Sequence, residues 1–508
     1  MAGPPKAALV LSAREREDAM ARYARQIMER KREINRLAPV SRLVPEIVSE
    51  ILIYVAHDSI GLGCEWLKAT HICREWREIA LHSPRVWNHL HLTSNVDCSR
   101  ELIARSKETP LYVSTSTIVP EASLDLVIRQ LYRIHALQLV LEPKPTTDNP
   151  SPLSAPELRH LELEDRRFPV TQRIPCPFEE LDAPKLERLR LRFNTFRIPW
   201  KSMLFRNSIT HLHLKSLLPP NSTLNEFLSG LARMPNLKSV FLSGAFPPPS
   251  QDLTQTVHLS NLETFTIQDD CDRCVSLLQH LIFPPTVALR ISLSVYGSEK
   301  FPQLGRHIAA MFSDPRSSSA NIRSLLIKDY TCVVWRKQFR IADIAPDNPN
   351  DIGVVVSLPL TYLPSFSIFL HTLPLSNVHT LSRRFGIESE SDLEILNLLV
   401  VRSSQRNSPA PPPLFPHLKI LLLSGITWYD DPYDDAPIMI QLLRDMLRSR
   451  KLSQRMIEEL VVKDAINLHE SSLEDVHGVV GKVTWDPKDC RWEGFGEEED
   501  EEDEDEEL

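Results

Sequence analysis

Six basic side chains in two short segments carry the clearest binding chemistry of this 508-residue chain. Arg188, Arg190 and Arg192 alternate with leucines, and so do His211, His213 and Lys215. In strands, a period of two sends the basic groups to one face and the leucines to the other. Adjacent strands lie about 4.8 Å apart, so the six groups would share one patch. Arginine makes forked contacts with carboxylate or phosphate. The patch is therefore a candidate receptor for an acidic or phosphorylated segment of a client protein, with a solvated charged surface as the other reading. The facing positions of the neighbouring units are His160, Glu162 and Glu164 on one side and Ser239, Phe241 and Ser243 on the other.

Other chemistry is sparse. The chain has no Gly-x-Ser-x-Gly elbow, no phosphate loop and no Gly-x-Gly-x-x-Gly. Gly61-Leu62-Gly63 lacks a third glycine, and His469-Glu470 meets Leu473 where a zinc helix needs its second histidine. Cys271 and Cys274 form a lone Cys-x-x-Cys; His280 is near, but the next cysteine is Cys332, so buried or idle thiols are expected there. Asn221-Ser222-Thr223 is a glycosylation sequon without a role in the cytosol. No catalytic residue, metal, cofactor or small-molecule substrate is expected.

Charge and composition narrow the class. The formal net charge is −9, yet Glu497 to Glu507 is an unbroken run of eleven carboxylates, which leaves the rest of the chain at +2. That balance gives no reason to expect a nucleic-acid binder. Like charges repel and bring no apolar area, so the run reads as a disordered, solubilising tail. It could also hold basic partners, or fold back on the cationic patch. Eight scattered cysteines suit a reducing compartment. Arg14 to Asp18 are all charged, where a signal peptide would be apolar. The uncharged stretch 352–382 holds Pro359, Pro364 and Pro374, which favours buried strands and loops over a membrane helix. A soluble protein of the cytoplasm, the nucleus or both is expected.

The elements that must position the basic patch show as a repeat. An apolar residue, two variable ones, an apolar, one variable and an apolar recur at Ile134-Leu137-Leu139, Leu158-Leu161-Leu163, Leu186-Leu189-Leu191, Ile209-Leu212-Leu214, Leu237-Val240-Leu242, Leu262-Phe265-Ile267 and Ala288-Ile291-Leu293. First positions step by 24, 28, 23, 28, 25 and 26 residues, the leucine-rich-repeat period. Such a unit gives a short strand that cannot bury its apolar pair alone; stacked units share one core and one parallel sheet. Prolines mark the turns before several strands, at Pro156, Pro184, Pro235 and Pro416. The pattern returns, more widely spaced, at Ile322-Leu325-Ile327, Leu418-Leu421-Leu423 and Ile457-Leu460-Val462.

The front of the chain differs. Residues 12–36 read as one helix without Gly or Pro. Met20, Ala24, Ile27, Lys31 and Ile34 form a short heptad seam, expected to pack on the helix's own domain, with self-association as the alternative. Pro45 opens a second helix carrying Ile47, Val48, Ile51, Leu52 and Val55, and a further helix carries Leu67, Ile72, Cys73, Trp76 and Ile79 before Ser83-Pro84 turns to Val86 and Trp87. So small and apolar a block is expected to bury surface against a partner.

Leu43-Val44-Pro45-Glu46-Ile47-Val48-Ser49-Glu50-Ile51-Leu52, His71-Ile72-Cys73-Arg74-Glu75-Trp76-Arg77-Glu78-Ile79-Ala80 and Ser83-Pro84-Arg85-Val86-Trp87 together resemble an F-box, most closely the F-box-like proteins numerous in mushroom-forming fungi. Those proteins commonly place a charged helix in front and leucine-rich-repeat-like sequence behind. The resemblance implies docking on the Skp-type adaptor of a cullin–RING ubiquitin ligase, with an unknown client held downstream. The residues it implicates in docking are Leu43, Val44, Pro45, Ile47, Val48, Ile51, Leu52, Ile72, Cys73, Trp76 and Trp87. The family's usual Leu-Pro-x-Glu has Val44 in place of its proline, a change at the adaptor-facing corner.

The expected architecture is thus α/β: an N-terminal helix (1–36), a three-helix F-box-like bundle (37–92), an irregular leucine-rich-repeat solenoid with a parallel sheet (93–480), and an extension with the acidic tail (481–508). The expected function is substrate recognition for a ubiquitin ligase, without catalysis, membrane or nucleic acid. The rival readings are a ubiquitin-independent binding scaffold and an enzyme hidden in 294–415.

Overall fold

The computed structural model describes residues 13–58, 65–142, 153–165, 174–216, 222–245, 247, 255–284, 286–293, 300–312, 322–328, 331–335, 353–357, 363–384, 396–400, 413–425, 438–465, 468 and 470–485. Gly61 and Gly63, Asn221, His469 and the acid run lie outside them. The fold is mixed α/β with a large, mostly parallel sheet. It divides into two compact units, Met1–Arg167 with Glu180–Leu186, and Phe168–Glu179 with Glu187–Leu508.

The first unit opens with helix α1, Ala13–Leu37, where the unbroken run of helix formers predicts it. The expectation that its seam packs on its own domain is not met. From Glu15 to Leu37 every residue is exposed except half-buried Ala19. A 3-10 turn, Pro39–Arg42, follows, and α2 spans Pro45–Asp58. The next helix differs from expectation. Glu65–His71 is 3-10, and α3 (Arg74–His82) begins afresh after Cys73, whose Sγ accepts the Trp76 N–H at 3.5 Å as an N-cap. A last 3-10 turn, Pro84–Trp87, closes the block. Val48, Leu52, Ile53, Ala56, Trp66, Ala80, Val86 and Trp87 are its buried core.

Four parallel strands complete this unit: β1 (His89–His91), β2 (Leu111–Ser114), β3 (Ile134–Leu141) and β4 (His160–Asp165), with α4 (Val96–Ser106) and α5 (Glu121–Ile128) between them. β1 and β2 precede the first leucine triplet, and the repeat does not reveal them because they carry the alternation over only three or four residues, as in Leu111-Tyr112-Val113.

In the second unit the strands run β5 (Arg188–Arg192), β6 (His211–Lys215), β7 (Ser239–Ser243), β8 (Thr264–Asp269) and β9 (Ala288–Leu293), parallel and in register. The repeat explains the register. Leu189, Leu212, Val240, Phe265 and Leu289 form one inward row, and Leu191, Leu214, Leu242, Ile267 and Ile291 the next. The β9 triplet is therefore shifted from the expected Ala288-Ile291-Leu293, since Leu289 and Ile291 occupy the aligned positions. The leading residues Ile209, Leu237 and Leu262 are buried as well. Proline sits second in recurrent turns. The N–H groups of Leu186, Leu237 and Leu418 bond the carbonyls of Ala183, Met234 and Phe415, the residues before Pro184, Pro235 and Pro416. After several strands the chain leaves through a left-handed residue, Gly244 at φ 56° and Gly425 at φ 70°, where glycine carries no Cβ penalty.

The widest gap after 293, between the triplets at 322 and 418, has a topological cause. β10 (Ser324–Lys328), β11 (Thr331–Trp335) and β12 (Gly353–Ser357) form an antiparallel meander inserted in the series. β12 pairs parallel with β9, and β10 pairs parallel with β13 (Thr380–Arg384). Two reversals restore the original direction, so β14 (Ile420–Ser424), β15 (Glu459–Lys463) and β16 (Lys482–Trp485) continue in parallel. Among the described residues no helix is long and apolar enough to cross a membrane.

Candidate functional site

Two surfaces fit the sequence expectations, each described within its own unit. The first is the apolar corner that opens α2. Pro45 starts the helix without needing an acceptor, while the Val44 carbonyl takes the N–H groups of Ile47 and Val48 at 3.0 and 3.3 Å. Helical spacing then sorts the side chains. Val48, Leu52 and Ala56 point inward, 0–3% exposed, while Leu43, Val44 and Ile47 remain 37%, 54% and 48% exposed within one turn. Pro45 and Ile72 are also exposed, and Ile51, Cys73 and Trp76 are half-buried.

Val48, Leu52 and Trp87, expected among the docking residues, belong to the interior instead. A helix can offer only one face to a core, and Val48 and Leu52 are that face. Trp87 is fixed from all sides. Its indole N–H donates to the Ala80 carbonyl at 2.7 Å, Trp66 lies 5.4 Å away between ring centroids, and the Arg105 guanidinium covers the ring at 4.6 Å. Ser49 and Ser83 bond at 2.9 Å, tying α2 to the end of α3. The Arg85–Glu50 pair at 2.8 Å is exposed on both sides and adds little. The sequence reading missed Tyr54, 72% exposed on the outer side of α2, and Trp66, the partner of Trp87. Their aromatic type within the block was the available signal.

The second surface is the polar face of β5 to β9. Arg188 pairs with His211, Arg190 with His213 and Arg192 with Lys215, so the register brings the six expected residues together. Arg188 and Lys215 are exposed and the other four half-buried. Arg190 and Arg192 already interact with neighbouring groups. The histidines do not add charge. Burial first, then Arg190, Arg192 and Lys215, lowers His213 to about 4. Burial first, then Arg188, also lowers His211. Both are neutral near pH 7, and the fixed cations alone set the patch's sign. His213 lies flat on Phe241, with ring centroids 4.0 Å apart and planes 6° from parallel. The same row continues through Thr266 to Arg290, an exposed cation that the triplet shift at β9 hid from the sequence reading.

The buried cysteines of the second unit are poor nucleophiles. Cys271 and Cys274 lie buried at the start of the helix Cys271–Leu278, where burial first and then the Asp269 charge raise Cys274 well above the ordinary thiol range. Burial pushes Cys332 up to about 12. Among the described residues no group of three or more His, Cys, Asp or Glu is placed to hold a metal ion. No protein-family model and no curated protein matches the chain.

Proposed function

We propose that this chain is a non-catalytic substrate receptor of a cullin–RING ubiquitin ligase. In this reading, the block from Pro39 to Trp87 is an F-box that docks the Skp-type adaptor. The stacked strands are an irregular leucine-rich-repeat array whose polar face holds a client. Proximity does the work, because a tethered client meets the ubiquitin-loaded enzyme at high effective concentration. The observation that carries the reading is the exposed apolar corner Leu43-Val44-Ile47, set on a core that needs none of those side chains. An apolar cluster at a helix start, backed by a rigid tryptophan-centred core, suits a partner's groove. On the client side, Arg188 and Lys215 offer exposed cations for carboxylates or phosphates.

The test is affinity purification of the intact protein beside an Ile47→Asp variant, read for a Skp-type adaptor and for ubiquitylated clients. Adaptor recovery with the intact protein and its loss with the variant is the expected result. Recovery of clients with no adaptor in either sample would replace the reading with a ubiquitin-independent scaffold.

A further inference from the structure

Helix α1 exposes a seam that the described part of its own unit leaves uncovered. Met20, Tyr23, Ile27, Met28, Ile34 and Leu37 are 54–80% exposed along 25 residues of helix. Met20, Ala24, Ile27, Lys31 and Ile34 follow alternating steps of four and three, the 3.5-residue period that lets one helix coil around another. A helix lying on a globular surface has no need of that period. The same seam extended one step toward the N-terminus reaches Glu17, so it carries one acid and one base.

From this we propose that α1 pairs with α1 of a second copy of the chain, in antiparallel orientation. The charges select both the occupant and the direction. In a parallel, in-register pair, Glu17 would meet Glu17 and Lys31 would meet Lys31 within the seam, and like charges at such positions repel. In the antiparallel pair Ala24 packs on Ile27 of the second copy, Met20 on Lys31 and Ile34 on Glu17. Each Lys31 then lies about one helical turn from the opposite Glu17. Tyr23 comes alongside Arg30 and Met28 alongside Ala21, covering two large side chains that are otherwise exposed. The seam spans only about two to three heptads, so the association is weak and depends on concentration.

Charge swapping tests both the pairing and its direction. The mass of the full chain is measured by light scattering from about 1 to 100 μM, where mass action should shift it from monomer toward dimer. Glu17→Lys alone and Lys31→Glu alone should each weaken the dimer at least about tenfold. The double variant Glu17→Lys with Lys31→Glu should restore it, because the opposite charges again meet across copies. In a parallel dimer like charges stay opposed in every variant, so neither the single variants nor the double one would change its strength, and that pattern also overturns the proposal. Ile27→Asp should leave a monomer, and a helix signal in circular dichroism that matches the parent shows that the fold is intact. A parent mass that stays monomeric throughout the range overturns the proposal. So does a mass unmoved by Ile27→Asp, or a double variant as weak as the single ones. If α1 instead binds vesicles of anionic lipid while the mass stays monomeric, its apolar seam serves a membrane surface and the pairing is wrong.

Discussion

Trp87 and Ile47 should answer the same mutagenesis in opposite ways. Trp87→Ala removes a side chain that is 1% exposed. A buried tryptophan hides about 200 Å², which at about 25 cal/mol per Å² sets an upper bound near 5 kcal/mol. The hydrogen-bond loss is small, because the Ala80 carbonyl still accepts the Ser83 N–H at 3.1 Å; about 0.5–1 kcal/mol covers it. The Arg105 contact adds about 0.5–1 kcal/mol. Since the alanine keeps some contacts and the pocket partly collapses, the expected cost is about 4 kcal/mol. Ile47→Asp acts on a half-exposed residue at the third position of α2. It forfeits about 1 kcal/mol of apolar contact and regains about 0.5 kcal/mol from a carboxylate in the first turn of a helix. Amide hydrogen exchange over Pro45–Asp58 and Arg74–His82 separates the two. Trp87→Ala should speed exchange about a thousandfold, up to the limit set by the block's own stability, and Ile47→Asp less than about fivefold. Protection unchanged by Trp87→Ala, or stripped equally by Ile47→Asp, would refute the division into core and docking corner.

Acid should destabilise the junction between α2 and β1. The His57 and His89 rings lie 3.6 Å apart between centroids, tilted 49° to one another. Burial first, then His57, lowers His89 to about 4, and burial first, then Arg85, lowers His57. The folded state thus binds fewer protons than the unfolded one, so stability is full above about pH 6.5 and falls between there and pH 4. Partial exposure cuts the His89 share to about 1–2 kcal/mol, and His89→Phe should flatten that part of a denaturation-versus-pH profile. Arg450 is 1% exposed, and its guanidinium donates to the carbonyls of Leu399 (2.9 Å) and Phe415. Arg450→Ala leaves both acceptors poorer and should cost about 3 kcal/mol, read as faster hydrogen exchange in the helix Ile438–Leu452. Reversing Arg188 and Lys215 to Glu should reduce capture of an acidic client at least about tenfold while leaving the melting temperature within about 2 °C; unchanged capture would remove the patch from the client site.

The strand series was legible because leucine supplied both the inward direction and the period. At β9 both Ile291 and Leu293 are apolar and inward, so the triplet could be set two residues late, and only pairing with Phe265 and Ile267 fixes it. The meander was not legible. β12 reads Val354-Val355-Val356, with no leading leucine and no period to separate a reversed strand from a forward one. At the docking corner residue types could not divide the surface from the core. Ile47 and Val48 are chemically alike and adjacent, yet about 100° of helical turn puts one outside and the other at 3% exposure. The histidines at 211 and 213 stood beside the fixed cations by type, and their burial next to arginines, which keeps His213 neutral well below pH 7, shows only in the structure.

The sheet order ends at β16, and beyond its outer side no described strand continues the pairing. A bare strand edge is a template onto which another chain can add, the first step toward aggregation. The sequence that follows is ill-suited to such addition. Pro487 comes two residues after Trp485 and lacks an N–H, and the eleven carboxylates begin soon after. A second molecule carries the same run, and like-charged chains repel one another. The strand series therefore stops just before a sequence that discourages strand addition, and high salt, which screens repulsion between like-charged chains, should be the condition that favours edge-to-edge adhesion.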